Sequence, residues 1–306
     1  MMDTTYPREA YDNSLRCEVA AYCRSADRIS RAEVDAEVVK LRSFAIKHGA
    51  VDMSEFYTQQ EAYRLVSPDV ALVPQVYEFF QDDDRGFLIM EFVSDVAEPD
   101  PRDMKSITAV AKALTHLHTF TGMDVGPVSG GISRGLLWDH DSPIVHGTIG
   151  QLEAYLNHRI LNPSRIFDLK DCELSLVHLD AVPRNLRMTR DGRVWLLDWG
   201  SAGYYPRWFE RCALRLNTGM KGADSEYCRV LEEAILSVSP SSETEQLNIS
   251  GMLTVVFNNV RYSWGPHVRG HKKRTKLDAK AAMEESVQIL DVEKDPSWHL
   301  SHEHGV

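Results

Sequence analysis

The sequence predicts an α+β fold in two parts, a small β-rich lobe followed by a larger, mainly helical one. Three observations carry this. Strand-type runs crowd the first third of the chain. The segment "SDVAEPDPRD" (Ser94 to Asp103), with two prolines and four acids, then breaks the pattern. Beyond Met104 the apolar residues recur at helical spacing. With 306 residues the chain is long enough to bury a sizeable core as one large domain or two lobes.

Taken in order, "AEVVKLRSF" (Ala36 to Phe44) is rich in β-branched and apolar residues and reads as a strand with Lys40 inside it. "SEFYTQQEAYRLV" opens on Ser54, a suitable N-cap, and Phe56, Ala62, Tyr63, Leu65 and Val66 suit the packed side of a helix. "VPQVYEFF" and "GFLIMEFV" read as two strands joined by the acidic turn "QDDDRG". Asp103 is placed to cap the next helix, whose apolar positions are Ile107, Val110, Ala111, Leu114 and Leu117. The glycines of "GPVSGGISRGLLW" mark a loop, and "TIGQLEAYLNHRIL" returns to helix. A short strand then ends at His178, a loop runs to Asn185, and "RVWLLD" closes on Asp198, with a turn at Asp191-Gly192. From Trp208 to about Leu290 the pattern is mainly helical. The expected partition is residues 1–93, 94–290 and a polar tail 291–306, with a hinge near Glu91 to Ser94.

A net charge of -11 argues against nucleic acid as a partner, because phosphate neutralisation needs clustered Lys and Arg. The basic run His271 to Arg274 reads as a solvated turn. Five cysteines without a CxxC pair read as free thiols in a reducing compartment. No apolar run has the length of a membrane span, and the N-terminus lacks signal-peptide character, so a cytoplasmic protein without a membrane partner is expected. Oligomeric state is not readable.

The densest chemistry lies in "HLDAVPRN" and the strand ending at Asp198. Hairpin geometry brings Asp180, Asn185 and Asp198 toward one point, and hard Mg²⁺ takes such oxygen ligands while borrowing others from phosphate. Asx residues that merely cap turns are the plainer alternative for each residue singly. The whole pattern, H-x-D-x-x-x-x-N followed by an apolar strand and Asp198-Trp199-Gly200, points to a metal–phosphate site with a separate base.

"HLDAVPRN…VWLLDWGSAGYYP" resembles the catalytic segment of the aminoglycoside phosphotransferase and choline-kinase-like small-molecule kinases, in its fungal style. The resemblance spans about residues 35 to 210 and implies a bilobal protein-kinase-like fold and Mg²⁺-ATP-dependent phosphorylation of a small-molecule hydroxyl. By that resemblance Asp180 accepts the proton of the attacking hydroxyl, His178 braces the loop, and Asn185 and Asp198 hold Mg²⁺. Lys40 is expected to reach the α- and β-phosphates, with Glu61 as its partner. Met90 is expected to line the adenine pocket, with the backbone of Glu91 and Val93 meeting the base. The chain departs from the pattern in three places. No glycine precedes Gly49, where a phosphate-covering loop about "AAYCRSADRIS" belongs. Val182 stands where relatives place Lys or His, leaving Arg184 as the substitute cation, and Gly200 replaces a frequent acid. The departures keep two other readings open: a pseudokinase-like binding protein, and a kinase-fold enzyme repurposed for non-phosphoryl, elimination or cyclisation chemistry on a natural product.

Overall fold

A computed structural model describes residues 13–25, 36–94, 96–138, 147–162, 166–219 and 224–261. The tail 291–306, the basic run 271–274 and part of the expected covering loop (residues 26–30) lie outside the described residues.

The run from Ala36 to Phe44 is not one strand. Strand β1 (Ala36–Leu41) turns at Arg42 and Ser43 into β2 (Phe44–Gly49), with Leu41 paired to Phe44. Arg42 takes φ 56, a left-handed value that tightens the hairpin. Strands β3 (Val76–Asp82) and β4 (Arg85–Glu91) form the expected acidic hairpin, turning at Asp83 with φ 54. The four strands make an antiparallel sheet in the order β1-β2-β4-β3.

Alternation gives this sheet two faces. Val39, Ile46, Phe80, Phe87 and Ile89 are buried on one face, beneath Val19, Ala20 and Cys23 of helix α1 (Asn13–Ser25). The part of the covering-loop segment up to Ser25 is therefore helix. The other face carries Ala45, Lys47, Leu88 and Met90, as the register requires. Against it lies α2 (Met53–Leu65), capped by Asp52 rather than Ser54: the Asp52 carboxylate accepts the N–H groups of Ser54 and Glu55.

Helix α3 (Met104–Leu117) follows its expected cap, Asp103, and all five expected core positions are fully buried. It packs on the hairpin of β7 (Leu186–Met188) and β8 (Val194–Leu196) and on helix α6 (Ser225–Val238). A second core joins Trp138, α4 (Ile149–Arg159), α5 (Trp208–Gly219) and α7 (Glu243–Arg261) around a small antiparallel sheet. That sheet is β5 (Thr121–Gly122), β6 (Leu174–Val177) and β9 (Gly203–Pro206), in the order β5-β6-β9. A capping box between Thr148 and Gln151 starts α4.

All five cysteines are free. Among the described residues no helix is long and apolar enough to cross a membrane.

Candidate active site

The site is built where the first sheet faces the β7–β8 hairpin. Lys47, on β2, extends its ammonium to two carboxylates: Nζ lies 2.8 Å from Glu55 Oε1 of α2 and 2.8 Å from Asp198 Oδ1 just past β8. Lys47 and Glu55 side chains are 11% and 6% exposed, so the pair is largely withdrawn from water while Asp198, at 29%, keeps an outlet. Burial by itself would lower the Lys47 pKa, but the two facing carboxylates overcome it and hold the ammonium charged. Burial would likewise raise Asp198; the Lys47 charge and hydrogen bond reverse the sign and keep it ionised. For Glu55 burial wins and the carboxyl is pushed up against the opposing pull of Lys47.

This corrects two sequence expectations. Lys40 and Glu61 do not meet. By register Lys40 pairs with Ala45, so it shares the face of Lys47 but sits one ladder step away, and its ammonium lies 4.0 Å from the Phe92 ring centroid. Glu61 is six residues beyond Glu55 and so points about 120° around the helix, where it pairs with Arg64 at 2.7 Å. The signal for Lys47 was present: Phe44-Ala45-Ile46-Lys47 has the V-A-I-K form of a kinase strand lysine. The signal for Glu55 was inverted. The buried residues of α2 are Glu55, Thr58, Gln59 and Ala62, whereas Tyr57 and Tyr63 are exposed. A helix that turns its polar stripe inward escapes a reading that looks for an apolar one.

Across from Lys47, β6 leads into the loop from His178 to Asn185. Buried Glu210 of α5 fixes its start by accepting the N–H groups of His178 (2.7 Å) and Leu179 (3.1 Å). Leu179 takes φ 63, which turns the chain outward to Asp180. His178 is fully buried, and its Nε2 meets the Leu197 carbonyl at 2.9 Å. That contact requires Nε2–H to donate, leaving Nδ1 to face the Asp180 N–H at 3.4 Å. Burial pushes the imidazole down to about 4 and the Glu210 carboxyl up to about 7.

Asp180 Oδ2 accepts from Asn185 Nδ2 at 2.7 Å, and the same amide nitrogen reaches the Asp180 carbonyl at 3.1 Å. The Asn185 amide oxygen is then the end left to meet a cation. Arg184 stands between Asp180 and Asp224, 3.4 Å from each. Val182 is buried and contributes no polar group. Asn185 closes the 3₁₀ turn Pro183–Asn185, and its carbonyl accepts the Leu197 N–H at 2.8 Å, tying the loop to the approach of Asp198. Asp198 takes φ 60, and Gly200 leaves the room its neighbours need: a Cβ there would lie 3.1 Å from Glu55 Oε2. Met90 shares the Lys47 sheet face and touches Gln59 Nε2 through its sulfur at 3.6 Å; Glu91 ends β4, and Val93 lies two residues beyond it.

A two-stranded hairpin flanked by Asn185 and Asp198, a loop acid and a strand lysine paired to a helix glutamate define a protein-kinase-like fold with a candidate active-site cleft. A model of the phosphotransferase enzyme family matches residues 38–219, and the chain belongs to that family. Among solved structures, aminoglycoside phosphotransferase APH(4)-Ia superposes with TM-score 0.51 at 15% identity, covering 91% of this chain and 98% of that one. A thermostable mutant of the same enzyme, in ternary complex with AMP-PNP and hygromycin B, gives TM-score 0.50 at 16% identity, with 87% and 93% covered. Choline kinase LicA from Streptococcus pneumoniae gives TM-score 0.48 at 14% identity, with 91% and 99% covered. At 15% and 16% identity the likeness to APH(4)-Ia is one of fold. No curated protein matches the sequence at a significant level.

Proposed function

We propose that the protein transfers the γ-phosphoryl group of ATP, taken as its Mg²⁺ complex, to a hydroxyl of a small molecule. The observation that carries this is the meeting of Lys47 with both Glu55 and Asp198, where the approach to Asp198 is tied to the Asp180 loop by the Leu197 N–H donating to the Asn185 carbonyl. Phosphoryl transfer asks a protein mainly for positioning and charge neutralisation, and these residues supply both. Residues 1–93 serve as the nucleotide lobe and 94–290 as the catalytic lobe.

In this reading Lys47, aimed by Glu55, grips the α- and β-phosphates, replacing Lys40 and Glu61 in those roles. Met90 lines the adenine site, and the backbone of Glu91 and Val93 meets the base. Asp180 accepts the hydroxyl proton as the acceptor oxygen bonds to the γ-phosphorus and the bond from that phosphorus to the bridging oxygen breaks, releasing ADP; Asn185 and Arg184 hold its carboxylate in place. Arg184 also stands ready to steady the transferred group. His178, neutral and wedged under the loop, keeps Asp180 outward. Asn185 and Asp198 fit a magnesium ion, since each offers a hard oxygen and Asp198 is ionised and partly exposed. The ion would neutralise charge on the phosphate oxygens.

The test is a panel of hydroxylated and amine-bearing small molecules incubated with Mg·ATP, following ADP release and the mass gain of a phosphoryl group together. An acceptor that gains phosphoryl as ADP appears supports the reading. Nucleotide binding without any turnover would leave the pseudokinase reading, and turnover without ADP the repurposed one. The acidic Asp224 beside Arg184 is a reason to include cationic acceptors in that panel.

A further inference from the structure

The loop from Gly126 to Trp138 spans the space between the second core and α2. One side is anchored in the helical half of the molecule. Gly126 exchanges backbone hydrogen bonds with Tyr204 of β9 at 3.0 and 2.8 Å, and buried Ser133 accepts the Tyr205 hydroxyl at 2.7 Å. Trp138 packs among Tyr155, Tyr205 and Phe209.

The other side grips α2. The Val128 N–H donates to Thr58 Oγ1 at 3.0 Å, and Thr58 is fully buried. Arg134 reaches Asp52, the cap of α2, with Nη2 at 2.8 Å and Nε at 3.1 Å. Burial would raise the Asp52 carboxyl, but Ser54 and Arg134 together hold it below its ordinary range. Gly131, at φ +119, presses on Ser54 so closely that a Cβ would lie 2.9 Å from the Ser54 Cβ. Gly135 packs on Ser201, three residues past Asp198, where a Cβ would come within 2.6 Å of the hydroxyl. The loop thus contacts both the helix that carries Glu55 and the turn that follows Asp198, the two partners of Lys47.

We propose that this loop is a clamp that holds α2 inward, and that Arg134 and Thr58 are positioning residues acting through Glu55 on Lys47. A helix resting only on its own sheet can shift by a fraction of a turn. Three contacts over its first two turns, made by a segment rooted in the other core, remove that freedom before any nucleotide arrives. The inference rests on the phosphotransfer reading for its consequence and on α2 alone for its mechanics.

The experiment compares full-length wild type with Arg134→Gln, Thr58→Val and the conservative Thr58→Ser. Arg134 is 41% exposed, so its replacement leaves the fold intact. Hydrogen exchange should quicken at the α2 amides in Arg134→Gln and Thr58→Val but not in α6, and Thr58→Ser should restore protection. Affinity for Mg·AMP-PNP should fall about threefold to tenfold, the weight of one ion pair or hydrogen bond. That loss should vanish when Lys47→Met is already present. Unchanged α2 exchange overturns the clamp. Loosened α2 with undiminished nucleotide affinity overturns the positioning role. Wild-type protein that ignores Mg·AMP-PNP sinks the phosphotransfer reading instead, and the exchange arm still decides whether the loop holds the helix.

Discussion

Lys47 on β2 and Glu55 at the start of α2 meet at 2.8 Å, in a contact eight residues apart in sequence that places a helix on a sheet face. Because both groups are largely buried, the pair is a stability element as well as the proposed grip on the phosphates. Lys47→Met should strand two carboxylates and cost about 3–5 kcal/mol of stability, the scale for breaking a buried pair. It should also lower phosphotransfer about 10²–10³-fold, as loss of a charge-stabilising donor does. Lys40→Met, which among the described residues removes a cation–π contact over Phe92, should leave turnover within about threefold, since such contacts are worth about 0.5–1 kcal/mol when exposed. Urea unfolding and steady-state rates on the two variants check this; equal losses at both positions would refute the assignment of Lys47.

Asp180→Ala should cost about 10²–10⁴ in rate if its carboxylate is the general base. Nucleotide affinity should change little, because the loss falls on the acceptor side. Retained full turnover would remove Asp180 from the mechanism.

Acidity should act on the loop from His178 to Asn185 through two buried groups of opposite sign. His178 has its pKa lowered to about 4 from 6.5, so the stability linked to it is complete above pH 6.5 and is lost as pH falls toward 4. Glu210 has its pKa raised to about 7 from 4.5, so its linked stability is complete below pH 4.5 and is lost as pH rises through 7. Each contribution is roughly 3 kcal/mol over its window, and between pH 4.5 and 6.5 they oppose one another. Relative to wild type, His178→Gln should show stability falling more steeply with pH across that interval. Glu210→Gln should show it rising. Urea midpoints measured from pH 4.5 to 7 decide the matter, and curves parallel to wild type in both variants would show that neither group is coupled to folding.

Gly203→Ala should destabilise the helical half by about 1–3 kcal/mol or more, the cost of overpacking. Its new Cβ would lie 2.4 Å from the Gly126 carbonyl oxygen, and the two segments are pinned together by the backbone hydrogen bonds between Gly126 and Tyr204. A melting temperature within a degree or two of wild type would show that the two segments part more easily than their pairing implies.

Much of the architecture was legible because it is local. Ile107, Val110, Ala111, Leu114 and Leu117 fall at i, i+3, i+4, i+7 and i+10 and share one helix face whatever else the chain does. The meeting of Asp180 and Asn185 was legible for the same reason: five residues and one 3₁₀ turn bring the amide to the carboxylate. The hairpin hidden in Ala36 to Phe44 was not, since β-branched residues favour strand on both sides of a turn and Arg42 does not advertise a positive φ.

The chain's own order of residues determined which acids and amides gather on the loop from His178 to Asn185, because short-range backbone geometry leaves them little choice. It also specified a strand lysine, in the form Ala45-Ile46-Lys47. Which lysine finds which glutamate was decided only when α2 lay down on the sheet and met Asp198, 151 residues beyond Lys47. Periodicity reports how a helix is oriented only when its buried side is apolar. Here the buried side of α2 is Glu55, Thr58 and Gln59, whose burial is offset by partners that belong to other elements: Lys47, the Val128 N–H and the Pro74 carbonyl.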